Sequence, residues 1–511
     1  MRGLPRLLIA APSSGSGKTT VATGLMAALT AKGFVVSPHK VGPDYIDPGY
    51  HALAAGRPGR NLDPWMVGEQ LLLPLLAHGA AGADIAVIEG VMGLFDGATS
   101  PDGGTSSYGV TSPYGVTSPY GITSPYGVAS SHGGTSPDGG DAHGRGGLPG
   151  TEATSGAGDF ASSAHVAQVL DTPVVLVVDV SGQGRSVAAL VHGFMSYDTR
   201  VRVGGVILNR VGSPRHERIC RDALEETGIP VFGAIPRTEV AATPSRHLGL
   251  VPPAERRAEA VDAVAAVGEL VAATCDLESL VRLARTASPL STPAWSAEEA
   301  VGGRDGADVV VAVAGGKAFT FGYAEQAELI EAAGGTVAVF DPLNDERLPA
   351  GTRALVLPGG FPEVYAAELS ANEPLRRQVA AFDGPIVAEC AGLLYLCREL
   401  DGRPMCGIVD ATAAMTGTLT LGYRSAVAVR DSVLTREGER YHGHEFHRTR
   451  VTPVGDTEPL YRWRGGADGY GGPSLAASYL HLHWAGSPHM AARLVSRARH
   501  ADRSRPGHGG T

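Results

Sequence analysis

Apolar residues in this chain fall in short unbroken runs rather than in alternation with polar ones. Runs at 7–11, 34–37, 84–90, 173–180, 203–208 and 231–235 each predict a strand. An unbroken run implies burial on both faces, as in a parallel sheet between two helical layers. Helical spacing fills the gaps, first at 21–32. The pattern predicts a doubly wound α/β domain, with ligands at the carboxyl ends of its strands. Asp44, Glu89, Asp96 and Asp179 fall at those ends. Helical periodicity resumes over 255–287, and the Pro-, Ser- and Gly-rich stretch 288–305 reads as a linker. A second α/β unit follows, with strands at 309–313, 336–340, 354–357 and 386–388 and helices at 323–333 and 363–369. Residues 407–450 look strand-rich, and 475–480 are strand-like again. The expected division is a first domain at 1–250, a helical segment and linker at 251–305, a second domain at 306–495 and a basic tail at 496–511.

One segment breaks the pattern. Tyr-Gly recurs at Tyr108, Tyr114, Tyr120 and Tyr126, followed by Gly-, Ser-, Asp- and His-rich sequence. Single Val or Ile residues per repeat cannot build a stacked core, so 99–158 is expected to be a disordered insertion in a loop of the first domain.

Composition narrows the partners. A length of 511 residues calls for two or three domains. The net charge of −10 argues against nucleic acid as the main partner, and the basic tail reads as a solvated terminus. Cys220, Cys275, Cys390, Cys397 and Cys406 show neither metal-ligand spacing nor a disulfide framework, which fits a reducing cytoplasm. Residues 7–11 are too short for a signal peptide, and no apolar run approaches a membrane span.

Two stretches carry chemistry. After the first apolar run comes Pro12-Ser13-Ser14-Gly15-Ser16-Gly17-Lys18-Thr19-Thr20, then a helix. Strand, Gly/Ser loop and helix N-terminus in that order form a phosphate cradle. Backbone N–H groups of Gly15, Ser16, Gly17 and Lys18 would ring a phosphate, Lys18 would reach the terminal phosphates, and the Thr19 hydroxyl, beside Thr20, would ligate Mg²⁺. Pro12 stands where the usual pattern has Gly, a variant also found in nucleotide-dependent ligases of the dethiobiotin-synthetase type. The second stretch is Pro385-Ile386-Val387-Ala388-Glu389-Cys390-Ala391-Gly392. It puts Cys390 at a tight strand-to-helix turn, where a helix N-terminus favours the thiolate. Cys397 and Cys406 are expected to be buried core residues. The Ala391 N–H, with a donor near Gly360, would form an oxyanion hole. A thiol needs a base. His481 and His483 alternate after a strand-like run, so only one can face Cys390. His442, His444 and His447 are weaker candidates, and with Glu445 they resemble a metal cluster.

Together these stretches resemble the cobyrinic acid a,c-diamide synthase family, in its cobyrinate or hydrogenobyrinate form. The matching motifs are the phosphate loop, Lys40-Val41-Gly42-Pro43-Asp44-Tyr45-Ile46-Asp47-Pro48, Glu89-Gly90-Val91-Met92-Gly93-Leu94-Phe95-Asp96-Gly97, Pro244-Ser245-Arg246-His247-Leu248-Gly249-Leu250, Ala388-Glu389-Cys390-Ala391-Gly392-Leu393 and Tyr479-Leu480-His481-Leu482-His483. They span nearly the whole chain outside 99–158. The resemblance implies an N-terminal ATP-dependent ligase domain and a C-terminal class I-like glutaminase domain. It implies His481 as the base, in a Cys–His dyad, because His483 stands where ordinary class I glutaminases have an acid. It also implies that Asp44, Tyr45 and Asp96 contact a corrinoid carboxylate, with Asp96 alternatively a turn acid before Gly97.

The expected cofactors are ATP and Mg²⁺, the latter held by Thr19, Asp44 and Glu89, whose hard oxygens suit it. Asn209, at a strand end, reads adenine or is a plain Asn turn. The implied reaction amidates the a and c side chains through an acyl phosphate, with ammonia freed from glutamine. A cobyric acid synthase-like amidotransferase is the alternative within the class. A partition-type P-loop ATPase with an inert glutaminase-like domain is the alternative outside it. The sequence leaves oligomeric state open, a homodimer included.

Overall fold

The computed structural model describes residues 3–98, 159–238, 245–246, 249–250, 253–303, 308–455 and 458–503. The tyrosine repeat, and Pro244, His247 and Leu248 of the motif at 244–250, lie outside the described residues.

The first half folds as seven parallel strands: β1 (Arg6–Ala10), β2 (Val36–Val41), β3 (Arg60–Leu62), β4 (Ile85–Glu89), β5 (Val174–Asp179), β6 (Val203–Val211) and β7 (Val231–Pro236). Their order is β3-β2-β4-β1-β5-β6-β7. The chain leaves central β1 toward one edge, then returns past it toward the other. That reversal opens a crevice at the carboxyl ends of β1 and β4. Leu8 and Ala10 of β1 face one apolar core, and Leu7 and Ile9 face the other. Burial of every β1 residue is the physical content of the unbroken apolar run.

Two helices flank the crevice: α1 (Lys18–Ala31), which starts on the phosphate loop, and α2 (Asp47–Ala55). The segment expected to precede a linker packs tightly on α1. Its helix Arg257–Thr274 comes so near that a Cβ on Gly24 would sit 2.6 Å from Val271 and 2.8 Å from Val267. Ala98 and Phe160 meet in an antiparallel bridge, Ala98 N–H donating to the Phe160 carbonyl at 2.6 Å.

The second half holds two sheets. One runs Gly335–Phe340, Val309–Ala314, Thr352–Leu357, Ile386–Glu389, Leu475–Ser478 and Tyr470–Gly472, with only the last strand antiparallel. The other is built on a long hairpin of Val409–Ala428 and Arg440–Thr452. Here the expected run 475–480 needs correction. The strand stops at Ser478, and His481–Leu482 pairs instead with the hairpin, His444 opposite His481. The Asp468 carboxylate forces the exit, accepting from Ser478 Oγ and Tyr479 N–H, both at 2.6 Å.

The basic tail also needs correction. Helix His489–Arg503 runs through its first residues, Ala498 is wholly buried, and Arg499 donates to the Ala333 carbonyl at 3.1 Å. A buried apolar face of Met490, Ala491, Leu494, Val495 and Ala498 docks the helix. Among the described residues no helix is long and apolar enough to cross a membrane.

Candidate active sites

The phosphate loop joins β1 to α1 as expected. Gly15 and Gly17 have φ of 79° and 96°, open only to glycine without strain. Asn209 at the end of β6 explains the second glycine: a Cβ there would meet its Nδ2 at 2.2 Å. Asn209 Nδ2 donates to the Ser16 carbonyl at 2.8 Å, so this side chain braces the loop from behind. Lys18 Nζ donates to the carbonyl of Met92, on the loop after β4. Burial, then neighbouring Lys40, holds the Lys18 ammonium down to about 8.

Thr19 Oγ1 donates to Glu89 Oε1 at 2.5 Å and lies 3.3 Å from Asp47 Oδ2. Asp44, expected beside Thr19, is placed otherwise: its Oδ1 accepts from the N–H groups of Ile46 and Asp47 at 2.8 and 3.1 Å, forming a local turn. Asp47 is therefore the second acid at the hydroxyl. Asp96 also serves a turn, its Oδ2 accepting from Gly93 N–H at 3.0 Å. Lys40 Nζ lies 3.7 Å from Asp47 and 3.9 Å from Glu89, and His51 Nε2 lies 2.7 Å from Glu89. Burial raises the Glu89 carboxyl, but Lys40 and His51 outweigh it and hold the group near 2. Asp47 is pushed well up by burial, then by Asp44 and Glu89. Its Oδ1 is buried without a hydrogen-bond partner. A hydroxyl and two carboxylates meeting there fit a hard divalent cation, which would favour ionised Asp47.

Cys390 sits between strand Ile386–Glu389 and helix Ala391–Leu396, at φ 47° and ψ −98°. That strained non-glycine backbone is the signature of a nucleophile elbow. Small neighbours permit it: a Cβ on Gly392 would fall 2.1 Å from the Leu357 carbonyl. Burial pushes the thiol up, against a favourable contact from the Ala391 N–H. Gly360 lies on the adjoining turn, packed so that a Cβ would meet the Ala318 carbonyl at 2.1 Å.

Cys390 and His481 follow the ends of neighbouring parallel strands. The His481 ring packs on Gly359, where a Cβ would meet its Cε1 at 2.4 Å. It is wholly buried, and neither ring nitrogen has a hydrogen-bond partner. Burial, then His447, lowers it to about 3. Glu389 Oε2 lies 3.8 Å from its Nδ1. His483 faces elsewhere, stacked on Tyr323 at 4.1 Å and 3.7 Å from Glu325. Glu325 accepts from Arg60 of β3 at 2.7 Å, and Tyr423 of the hairpin donates to Asp63 at 3.0 Å, so the two halves are tied across polar contacts. His442 packs on Trp65 and His447 on Tyr479; among the described residues no group of His, Cys, Asp and Glu has the geometry of a metal cluster.

Burial lifts the Glu389 carboxyl to about 8. An acid raised on folding contributes stability below its unfolded value that is lost as pH climbs to its folded one. Glu389→Gln removes that dependence. Its unfolding free energy relative to the parent should therefore improve steadily from pH 5 to pH 8.5 and level off above, by a few kcal/mol in all. A difference that stays flat with pH would refute a buried, protonated Glu389.

Residues 7–251 match the CobQ/CobB/MinD/ParA nucleotide binding domain, and residues 310–489 match the CobB/CobQ-like glutamine amidotransferase domain. A curated protein of Streptomyces coelicolor, hydrogenobyrinate a,c-diamide synthase, is 53% identical over 97% of this chain and 98% of its own length. The protein of that name from Thermobifida fusca is 51% identical over 96% of both chains. Cobyrinate a,c-diamide synthase of a Synechococcus strain is 36% identical over 97% of this chain and 98% of its own. This chain belongs to the a,c-diamide synthase family. In this a,c-diamide synthase family member, sequence reasoning passed over Asp47, Lys40 and His51, though the first two lie in a quoted motif. The helix start at Asp47, directly before Pro48, was the available signal. Glu389 was quoted only as a neighbour of Cys390, and nothing local shows that it reaches a histidine ninety-two residues on.

Proposed function

We propose that this chain amidates the a and c carboxylates of hydrogenobyrinic acid, using ATP and glutamine. The observation that carries the reading is identity. Relatives with the hydrogenobyrinate name match at 50–53% over nearly the whole chain, those with the cobyrinate name at 34–38%. The acidic net charge fits small-molecule substrates without nucleic acid.

On this reading Cys390 Sγ attacks the glutamine amide, His481 carries the thiol proton to the departing ammonia, and water then hydrolyses the glutamyl thioester, releasing glutamate and restoring the thiol. The Ala391 N–H, with Gly360 on the adjoining turn, would receive the oxyanion. In the other half the terminal phosphoryl group of ATP passes to a substrate carboxylate, and ammonia displaces phosphate from the acyl phosphate. Lys18 and the loop N–H groups from Gly15 onward offset charge on the moving phosphoryl group. Thr19, Glu89 and Asp47 would hold Mg²⁺, which supplies charge neutralisation on the phosphates. Asn209 would keep the loop in shape, and Asp44, Tyr45 and Asp96 would shape the acid's binding loops.

The test is amidation of hydrogenobyrinic and cobyrinic acid side by side, followed by mass spectrometry and ADP release. The expected outcome is a diamide with two ADP and two glutamate formed per corrinoid, and a higher kcat/KM for the metal-free acid. ATP turnover without amide formation on either acid would overturn the assignment.

A further inference from the structure

Tyr45 belongs by sequence to the ligase half, yet its ring packs inside the other half. It lies between β2 and α2, one residue after Asp44 and two before Asp47, the acid at Thr19. The ring stacks on Phe321, with centroids 4.9 Å apart and planes 17° apart. It also lies 5.0 Å from the His481 imidazole. Its hydroxyl accepts from Tyr323 at 2.9 Å, and Tyr323 in turn covers His483.

Neither His481 nitrogen is held by a hydrogen bond, so what orients the imidazole is packing. Three residues pack on its ring, Gly359, Phe321 and Tyr45, and Glu389 Oε2 lies 3.8 Å from its Nδ1. Gly359 and Phe321 share a backbone bridge of the second half, Phe321 N–H donating to the Gly359 carbonyl at 3.0 Å. Tyr45 alone of the three comes from the ligase half. Its backbone is fixed by groups facing the ligase crevice: Asp44 Oδ1 holds the turn, and Asn61 Nδ2 donates to the Asp44 carbonyl at 2.7 Å. A shift of the 44–47 turn cannot leave the ring on His481 unmoved, because one residue of backbone separates them.

We propose that Tyr45 is a positioning residue through which occupancy of the ligase site sets the orientation of His481, and so the rate of glutamine hydrolysis. The proposal rests on the assignment of Cys390 and His481 to glutamine hydrolysis. The differential contact that such a coupling needs is the Tyr45 ring against the imidazole.

The experiment measures glutamate release with and without ATP plus hydrogenobyrinic acid in the full chain, for the parent, Tyr45→Ala, Tyr45→Phe and Tyr323→Phe. The parent is expected to hydrolyse glutamine at least severalfold faster when the ligase substrates are present. Tyr45→Ala should bring that ratio close to one and release more than one glutamate per amide formed. Tyr45→Phe keeps the ring and loses the bond to Tyr323, so it should lower the ratio partly, and Tyr323→Phe should match it. Tyr323→Phe keeps both rings in place, losing only the hydroxyl that bonds Tyr45, and should retain ammonia-dependent amidation, which separates lost coupling from lost folding. A parent rate indifferent to ligase substrates, or a Tyr45→Ala ratio equal to the parent's, overturns the proposal. Cys390→Ser serves as the control: if it still hydrolyses glutamine, the underlying assignment has failed instead.

Discussion

Cys390→Ser is expected to lose glutamine-dependent amidation by three orders of magnitude or more, on the order seen when a nucleophile is removed from a coupled pair. A serine hydroxyl ionises far less readily than a thiol. The proposed base, His481, is itself buried, and burial opposes its taking up a proton. Burial opposes an anion at this position more than the Ala391 N–H favours one. The same variant should make the diamide from ATP, corrinoid and a high concentration of ammonium salt at mildly alkaline pH. The phosphate loop and its acids lie on another sheet and do not involve the thiol. His481→Ala should behave likewise, and the double variant should be little worse than either, because the two act as one unit. His483→Ala should cost far less glutaminase activity, since that ring faces Tyr323 and Glu325. Glutamine turnover in Cys390→Ser near the parent rate would remove the thiol from the mechanism. Loss of ammonia-dependent activity in a variant folded by circular dichroism would move Cys390 into the ligase chemistry.

Lys18→Ala should abolish amidation from both nitrogen donors, by about two to three orders of magnitude, the scale of losing one preorganised charge at a reacting phosphoryl group. The ammonium is already partly desolvated, lying against the Met92 carbonyl with Lys40 nearby. Such a charge acts more strongly than it would in water. Truncation leaves the Met92 carbonyl to solvent at the rim of the crevice, so a folded protein is expected. Basal glutamine hydrolysis should persist, because no contact of Lys18 reaches Cys390. Amidation near the parent level would refute the phosphate-loop assignment. The two variants fail in complementary assays, which makes their comparison stronger than either alone.

The frame of the fold was legible because parallel strands buried on both faces leave unbroken apolar runs, as at Leu7–Ala11 and Ile85–Ile88. The phosphate loop and the elbow were legible because each is local: a few residues fix a turn and a helix start. What escaped depends on distant partners. Asp44 and Asp47 are three residues apart and chemically alike, and only the backbone N–H groups that Asp44 accepts decide which acid reaches Thr19. Asn209 was read as an adenine contact or a turn, while its amide is taken by the Ser16 carbonyl across the sheet. The path through His481 was misjudged because Asp468, ten residues before Ser478, diverts the strand. Tyr45 on His481 has no local sign at all, since the two are brought together only by the docking of the halves.

The bridge between Ala98 and Phe160 has an evolutionary consequence. Both ends of the intervening segment are tied at one point, so the geometry of Glu89 and the loop after it does not depend on how many residues lie between. Closing a longer loop costs only about 0.6 kcal/mol per doubling of its length. Replication slippage in a six-residue tandem repeat can therefore add or delete copies at this position with almost no selective penalty from the active site. The hexapeptide array from Tyr108 to Tyr126 is the kind of record such drift leaves, and its copy number should vary among close lineages while the residues on either side of the bridge hold still.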